Sequence, residues 1–410
     1  MAGHHCRPRL FSPASETSKG TILGTADNAS VEFIRKLISF DTTSRNSNME
    51  LIHYIRDYLK SLGVDSLLVE DETGTKANLY ATLGPKDKPG IMLSGHTDTV
   101  PVDGQEWDSD PFTLTERDDK LFARGTCDMK SFIGICLAYA PKFLERGLDI
   151  PIHFAFSHDE EVGCLGVRSL IEKFADIKPT PMMGIVGEPT SMQVIIGHKG
   201  KLSYKCRVRG FEAHSSLAPI GVNAVEYAAE MIAYLKGMAR RIQKEGPFDD
   251  LYDVQHSTVH TGTVHGGTAL NIVPKDCTFE FEFRCIGSDD PKVYFAEIER
   301  YARDTLEPEM QAIDPASGIE FEELSAIDGL DMDPGEEVVT LAKTLAGRND
   351  HAKVAFGTEA GLFQQQVGIP TVVCGPGSIN QAHKPNEYLA LEQLDRAHVF
   401  FDKLMDHVCK

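Results

Sequence analysis

Along the chain, segments in which hydrophobic residues recur at helical spacing alternate with short runs typical of strands. Apolar residues recur at helical spacing in 29–62 and again in 131–147. Four strand-like runs lie at 77–83, 90–94, 151–157 and 183–187. The run at 90–94 is continuously apolar, which is typical of a strand covered on both faces, and 151–157 and 183–187 are predicted as further buried strands. This alternation predicts an α/β fold with helices on both faces of a sheet, and sites in such sheets lie beyond the carboxyl ends of the strands.

A second pattern begins near residue 200. The elements predicted from there are strand 201–209, helix 221–243, strand 254–264, strand 275–285, helix 290–306 and strand 318–326. Their order, βαββαβ, is that of a ferredoxin-like module. Helix 334–347, strand 370–374 and helix 391–408 would then resume the first sheet. We therefore predict a discontinuous mixed-sheet α/β domain (21–199 and 327–410), an inserted ferredoxin-like domain (200–326) and a disordered tail (1–20).

The net charge, the apolar runs and the cysteines limit the binding partners and the cellular location that we expect. The 410 residues carry a net charge of −20, which repels phosphate backbones and anionic membranes, so we expect neither nucleic acid nor a membrane as partner. No apolar run approaches the roughly 20 residues that cross a bilayer. The nine cysteines are scattered without a C-x-x-C pair, which favours a reducing, cytoplasmic location.

Imidazoles and carboxylates cluster in the loops next to the predicted strands and helices. They are His96, Asp98, Asp128, Glu160, Glu161, Glu188 and His383. Taken alone, each has a more ordinary interpretation: His96 and Asp98 could occupy a surface turn, Asp128 could cap a helix, and the adjacent glutamates could form a solvated loop. Taken together they fit a two-metal hydrolytic site, in which one glutamate remains free to accept a proton. The carboxylate of Asp98 could orient the His96 ring.

Five motifs carry a resemblance to a known family. GHTDTVP, ARGTCDMK, SHDEEVG, VGEPT and QAHKP occur in the order found in the dinuclear zinc amidohydrolases and exopeptidases, and the resemblance spans about residues 29–410. Within that family, SHDEEVGCLG, GTEAGLF and GPGSINQAHKPNEYL are most similar to members that deacetylate N2-acetyl-ornithine. Desuccinylases would have a Ser-Asp pair where this chain has Thr358-Glu359-Ala360.

The resemblance implies a ligand set and a cofactor. It assigns His96 and Glu188 to one zinc, Glu161 and His383 to the other, Asp128 to both, Asp98 to a supporting role and Glu160 to the general base. Two Zn²⁺ per subunit are therefore expected, although mixed nitrogen and oxygen ligands also accept Co²⁺ or Mn²⁺.

The resemblance also implies roles within the insert. It would be a dimerisation lid whose His214 reaches the partner subunit's site, making the protein a homodimer, while Asn271 and Arg284 would contact substrate. Without the resemblance, His214 reads as a turn histidine and Arg284 as half of a surface ion pair. Glu359 is a separate hypothesis, drawn from charge complementarity, for binding a cationic substrate side chain. His158 departs from the family pattern, and its role stays open.

The expected reaction is hydrolysis of a small N-acyl amino acid, with N2-acetyl-ornithine as the favoured substrate. Two alternatives remain open: another acyl-amino-acid hydrolase or dipeptidase of the same family, and a non-catalytic metal-binding scaffold. The complete ligand set and the spare Glu160 argue against the scaffold.

Overall fold

The structure is a computed structural model that describes the backbone of residues 25–410 and the side chains from residue 28 onward. The predicted tail, 1–20, lies outside these residues. Within the described part of the chain, no helix is both long enough and apolar enough to cross a membrane.

Ten helices and sixteen strands are formed by the described residues. The helices are α1 (Thr25–Ile38), α2 (Met49–Ser61), α3 (Lys130–Arg146), α4 (Val167–Lys173), α5 (Ala224–Glu245), α6 (Pro291–Tyr301), α7 (Glu307–Ile313), α8 (Glu337–Ala346), α9 (Ala360–Leu362) and α10 (Leu391–Val408). The strands are β1 (Ser66–Glu70), β2 (Ala77–Leu83), β3 (Ile91–His96), β4 (Thr115–Arg117), β5 (Lys120–Phe122), β6 (Ile152–Ser157), β7 (Met183–Pro189), β8 (Ile195–His198), β9 (Gly200–Arg209), β10 (Thr258–Gly266), β11 (Asp276–Cys285), β12 (Gly318–Ile327), β13 (Leu330–Asp331), β14 (Ala352–Val354), β15 (Thr371–Gly375) and β16 (Tyr388–Ala390).

The larger sheet is mixed, as predicted. Its strand order is β1-β2-β6-β3-β7-β15-β8-β13, with β14 beside β8. The four central strands, β6, β3, β7 and β15, run parallel. Every residue of these four strands is buried, so both faces of the sheet are covered. The runs at 90–94, 151–157 and 183–187 therefore indicated the burial of β3, β6 and β7 correctly.

Helix α3 packs very closely onto this sheet. A Cβ at Gly187 in β7 would lie 2.1 Å from the ring of Phe132 in α3, so only glycine allows this approach. Phe132 also contacts Phe401 of α10, with ring centroids 5.8 Å apart. The backbone just before Glu188 is thus fixed by the core.

The smaller sheet has four antiparallel strands in the order β10-β11-β9-β12. With α5 and α6 it follows the predicted βαββαβ order. Alternate residues of β11 are buried with α5 and α6 in a second hydrophobic core, which is separate from the core of the larger sheet. We call the opposite side of this sheet, which carries Glu282 and Arg284, the open face.

Several short elements differ from the predicted pattern. The region predicted as helical at 29–62 forms two helices, α1 and α2, separated by a loop. The helix predicted at 290–306 continues as α6, a π-helical turn and α7 as far as Ile313. The three-stranded sheet β16-β5-β4 was not predicted. Its strands have three residues each, too few to show a hydrophobic period.

Candidate metal centre

The candidate ligands meet at one edge of the larger sheet because the parallel strands end there. His96 is the last residue of β3, and Glu188 is the penultimate residue of β7. Glu160 and Glu161 follow β6, and His383 lies in the loop after β15. Asp128 completes the group from the loop before α3. The six side chains come from five separate segments of the chain, and the fold brings them together.

Asp128 lies between the two imidazoles. Its Oδ1 is 3.0 Å from Nε2 of His96, and its Oδ2 is 3.2 Å from Nε2 of His383. A second carboxylate accompanies each ring: Glu188 Oε1 lies 3.6 Å from His96 Nε2, and Glu161 Oε2 lies 3.0 Å from His383 Nε2. The geometry therefore forms two neighbouring groups that share Asp128, and they group the residues as the family resemblance implies.

The electrostatics of the cluster are those of crowded anions. Burial, reinforced by the charge of Asp128, raises the pKa of Glu161 to about 7 and that of Glu188 well above its usual range. Hydrogen bonds to Asp128 and Glu161 raise the pKa of His383 to about 10. Burial opposes ionisation of Asp128, but its hydrogen bonds with His383 and His96 outweigh that effect and lower its pKa.

The donor set fits divalent cations. Oε1 of Glu161 and Oε1 of Glu188 are buried and accept no hydrogen bond from any described residue. Potential ligand atoms of His96, Asp128 and Glu161 lie within 4.8 Å of one another, as do those of His96, Glu160 and Glu188. Buried acceptors without donors are costly unless a cation satisfies them. The cluster is thus a candidate divalent-metal site built from imidazole and carboxylate groups.

Asp98 supports the site in a broader way than predicted. The Nδ1 atom of His96 lies closer to the backbone oxygen of Asp98, at 3.0 Å, than to its carboxylate, at 3.5 Å. The carboxylate instead accepts hydrogen bonds from the backbone N–H groups of Glu160 and Glu161, at 3.1 and 3.3 Å, and from the Ser44 hydroxyl at 2.7 Å. One residue therefore orients the ring through its carbonyl and holds the acidic loop through its side chain.

Glu160 lies beside the metal ligands in that acidic loop. Burial raises its pKa well above the usual range, and the Cys164 thiol donates to its Oε1 at 3.4 Å. It is also near enough to His96 and Glu188 to be grouped with them as a potential ligand. Glu160 is therefore a neighbour of the candidate ligands, and its role as a base belongs to the proposal below.

Sequence reasoning missed a buried ion pair behind Asp128. Glu387 accepts hydrogen bonds through Oε1 from the backbone N–H groups of Cys127 and Asp128, at 2.8 and 3.0 Å. Its Oε2 accepts from the buried Arg124 at 2.6 Å. Arg124 also lies near the backbone oxygen of Lys384, at 3.5 Å, in the loop that carries His383. In the sequence, Glu387 looks like an acid in a polar loop, so no local pattern distinguishes it.

Glu359 and His158 lie close behind the site. Glu359 is 1% exposed, and its carboxylate accepts hydrogen bonds from the Ser157 hydroxyl and, at 3.5 Å, from that of Ser94. Burial raises its pKa to about 7. His158 is buried, with Nδ1 3.1 Å from Asp159. The predicted contact between Glu359 and substrate stays a prediction, and this burial does not favour it.

The predicted insert residues lie at two ends of the smaller sheet. His214 is exposed, its Nδ1 accepts from the backbone N–H of Ser216 at 3.2 Å, and it forms a backbone bridge with Ile272, next to Asn271. Arg284 is near the other end of β11, where its Nε donates to Glu282 at 3.1 Å. The ten residues of β11 span roughly 30 Å, so Arg284 and His214 are far apart within one chain.

Comparison of the sequence with known proteins identifies a family and relatives of this chain. The family model described as peptidase family M20/M25/M40 matches residues 92–407. An acetylornithine deacetylase of Photorhabdus laumondii is 33% identical over 387 residues, which cover 92% of this chain and 97% of the relative. An acetylornithine deacetylase of Shigella sonnei is also 33% identical, over 388 residues, with the same two coverages.

Solved structures share the fold. The aminopeptidase PepT of Bacillus cereus superposes with a TM-score of 0.71 at 22% identity, covering 92% of this chain and 98% of that protein. A protein of Bacillus subtilis described as a dinuclear metal binding peptidase of the M20 family has a TM-score of 0.64 at 17% identity, with coverages of 93% and 97%. At these identities the likeness concerns the fold.

The Arg124–Glu387 pair generates a stability prediction. Glu387→Gln would leave Arg124 buried without a charged partner, which costs about 3–5 kcal/mol. We expect a loss of this size in the unfolding free energy of the metal-free protein in urea, together with weaker retention of divalent metal on dialysis.

The exposed Arg146–Asp406 pair provides the matched control, since its side chains are 38% and 68% exposed. Asp406→Asn is expected to change the unfolding free energy by less than about 1 kcal/mol. Equal effects of the two substitutions would contradict the role given to the buried pair.

Proposed function

The chain belongs to peptidase family M20/M25/M40 and is a metal-dependent hydrolase; from that premise we propose that it hydrolyses the amide of N2-acetyl-L-ornithine to L-ornithine and acetate. The observation that carries the proposal is the pair of His-carboxylate groups joined by Asp128, in a chain whose full-length relatives are named for this reaction. The substrate is a small N-acyl amino acid.

We assign the cofactor as two Zn²⁺ per subunit, with Co²⁺ or Mn²⁺ as metals that the same ligands would accept. His96 and Glu188 would hold one ion, Glu161 and His383 the other, and Asp128 both. When bound, divalent cations polarise the amide carbonyl and make water more acidic.

Glu160 is the general base in this proposal. It would take the proton of the attacking water and later deliver that proton to the departing amine, so that one carboxyl group serves both halves of the reaction. Asp98 fixes the Glu160 backbone at 3.1 Å, which keeps the base in place beside the ligands. Because burial disfavours its charge, Glu160 is suited to carry the proton between these two steps.

Arg284 and Asn271 are proposed to contact the substrate. A guanidinium can bind an α-carboxylate through two parallel hydrogen bonds, which fits Arg284. Arg284 lies near the strand end where β9 and β12 return to the larger sheet, since it pairs with Lys201, the second residue of β9. This strand end lies beside the junction between the two sheets, which supports a contact with substrate in the site of its own chain.

We propose that the insert, residues 200–326, forms a homodimer and that His214 acts in the partner subunit's site. His214 is at the far end of the smaller sheet, and exposed apolar side chains accompany it: Leu217, Ile220 and Leu270, the last fully exposed. Strand β10 is also a terminal strand of its sheet among the described residues, so its edge is available for pairing. Across the dimer, the imidazole would donate to the oxyanion, a contribution of roughly 3–4 kcal/mol.

A cytoplasmic location is part of the same proposal. The eight cysteines in the described part of the chain are all free, and seven of them are buried. Free thiols persist in a reducing compartment.

A substrate panel tests the function. The wild type is expected to cleave N2-acetyl-ornithine with a kcat/KM about tenfold or more above that for succinyl-diaminopimelate or simple dipeptides, because these compounds differ from N2-acetyl-ornithine in charge and size. A chelator should abolish turnover, and added zinc or cobalt should restore it. Glu160→Gln is the matched variant, since it should retain the metal content of the wild type and lose nearly all turnover.

A preference for dipeptides would favour the alternative of a dipeptidase from the same family and would overturn the proposed substrate. Turnover by Glu160→Gln at the rate of the wild type would remove Glu160 from the mechanism.

Mixed dimers test the role of His214. Subunits with His214→Ala and subunits with Glu160→Gln are each expected to be inactive alone. Unfolded and refolded together, they should recover up to about one quarter of wild-type activity, since half of the dimers are mixed and each contains one intact composite site. Absence of recovery, with dimers shown to form by light scattering, would contradict a contribution across the interface.

A further inference from the structure

The open face of the smaller sheet contains a cavity of about 380 Å³ that includes Lys201, Ser203, His260, Glu282 and Ser325 in its lining. We propose that this cavity is the subsite for the cationic side chain of the substrate and that Glu282 is the carboxylate that recognises it. The inference rests on the proposed function and extends it to substrate specificity.

The cavity adjoins the loop that carries the acidic catalytic residues. A Cβ at Gly163, three residues after Glu160, would lie 3.8 Å from Cβ of Ser325, which lines the cavity. Arg168 also donates to the backbone oxygen of Ala326, the neighbour of Ser325. The open face therefore adjoins the loop that lies beside the candidate metal centre.

The strand register groups the relevant side chains into two rows. Glu282 pairs with Ser203 on one side and with His260 on the other, and Ser203 pairs in turn with Ser325. Arg284, two residues further along β11, points to the same face as Glu282. The first row thus contains the carboxylate of Glu282 and the hydroxyl groups of Ser203 and Ser325. The neighbouring row contains Arg284 and its partner Lys201.

Two hydroxyl groups in the first row have unused hydrogen-bonding capacity. Oγ of Ser203 and Oγ of Ser325 are buried, and neither has a hydrogen-bond partner among the described residues. Ser203 is only 8% exposed. Buried hydroxyls are normally paired, because leaving one unpaired costs free energy. An ammonium group, which is a donor only, would satisfy acceptors of this kind together with Glu282.

The existing charges suit a zwitterionic ligand. Glu282 Oε1 is 3.1 Å from Arg284 Nε, and Glu282 Oε2 is 3.8 Å from Lys201 Nζ. A substrate carboxylate on Arg284 and a substrate ammonium on Glu282 would replace this internal ion pair by two new ones, so no charge is left without a partner. Spacing agrees as well: residues two apart on a strand are roughly 6.7 Å apart. The five bonds from the carboxyl carbon to the side-chain nitrogen of ornithine span roughly 6 Å.

Glu282 is better placed for this role than Glu359. The Glu282 side chain is 27% exposed within the cavity, whereas Glu359 is 1% exposed and held by the hydroxyls of Ser157 and Ser94. Recognition by Glu359 would require those contacts to break first. The Glu282 contacts are ion pairs that the substrate itself replaces.

The test compares two substrates that differ only in the ammonium group, N2-acetyl-ornithine and N-acetyl-norvaline. We expect the wild type to prefer the first in kcat/KM. Glu282→Gln should reduce that preference by about tenfold or more, because the amide offers no charge. Ser203→Ala is a second variant and should reduce the preference in the same direction by a smaller factor. The ratio cancels any general loss of activity that a variant suffers.

Two further variants serve as comparisons. Glu320→Gln changes an exposed residue of β12 outside the cavity and should leave the preference unchanged. Glu359→Gln should also leave it unchanged, whatever happens to turnover. An unchanged preference in Glu282→Gln, or a collapse in Glu359→Gln alone, would overturn the subsite.

Failure of the subsite and failure of the proposed function give different results. A wild type that cleaves N2-acetyl-ornithine efficiently, combined with an unchanged ratio in Glu282→Gln, contradicts only the subsite. A wild type that cleaves neither acetylated compound but cleaves dipeptides contradicts the proposed function and the subsite that rests on it.

Discussion

The contact of one carboxylate, Asp128, with two imidazoles is the interaction on which the rest of the site depends. Each oxygen of Asp128 faces a different ring, at 3.0 and 3.2 Å, so a single side chain fixes the separation of two ligand groups. In this position, both the side-chain rotamer and the backbone position of the carboxylate must be fixed. Much of the surrounding structure does this: the buried Glu387 anchors the backbone of Asp128, and the buried Arg124 anchors Glu387.

In the acidic loop, too, one residue positions several groups of the site. Asp98 receives hydrogen bonds from the backbone of both Glu160 and Glu161 while its carbonyl oxygen orients His96. A displacement of Asp98 would therefore move a metal ligand on each side and the proposed base together. The proposed metal ligands and the proposed base would thus be linked through the backbone of one loop, and this loop lies at the ends of neighbouring parallel strands.

The candidate ligands could be recognised in the sequence because several of them come close after buried strands. His96, Glu188 and His383 each come close after an apolar run, and adjacent parallel strands bring such positions to one edge. Contacts that depend on tertiary packing could not be predicted in this way. Glu387 is distant in sequence from the backbone groups it anchors, Glu359 is buried by neighbours that no local pattern reveals, and Asp98 uses its backbone where its side chain was expected. The resemblance to a family supplied roles for His214 and Arg284, and the structure adds that the two are at opposite ends of one sheet.

We propose that Asp128 joins two divalent cations. Crystals of the protein prepared with zinc, measured on both sides of the zinc absorption edge, would locate each ion directly. The account predicts two anomalous peaks per chain, one beside His96 and Glu188 and one beside His383 and Glu161, with Asp128 between them. A single peak, or peaks that leave Asp128 without a metal neighbour, would contradict it.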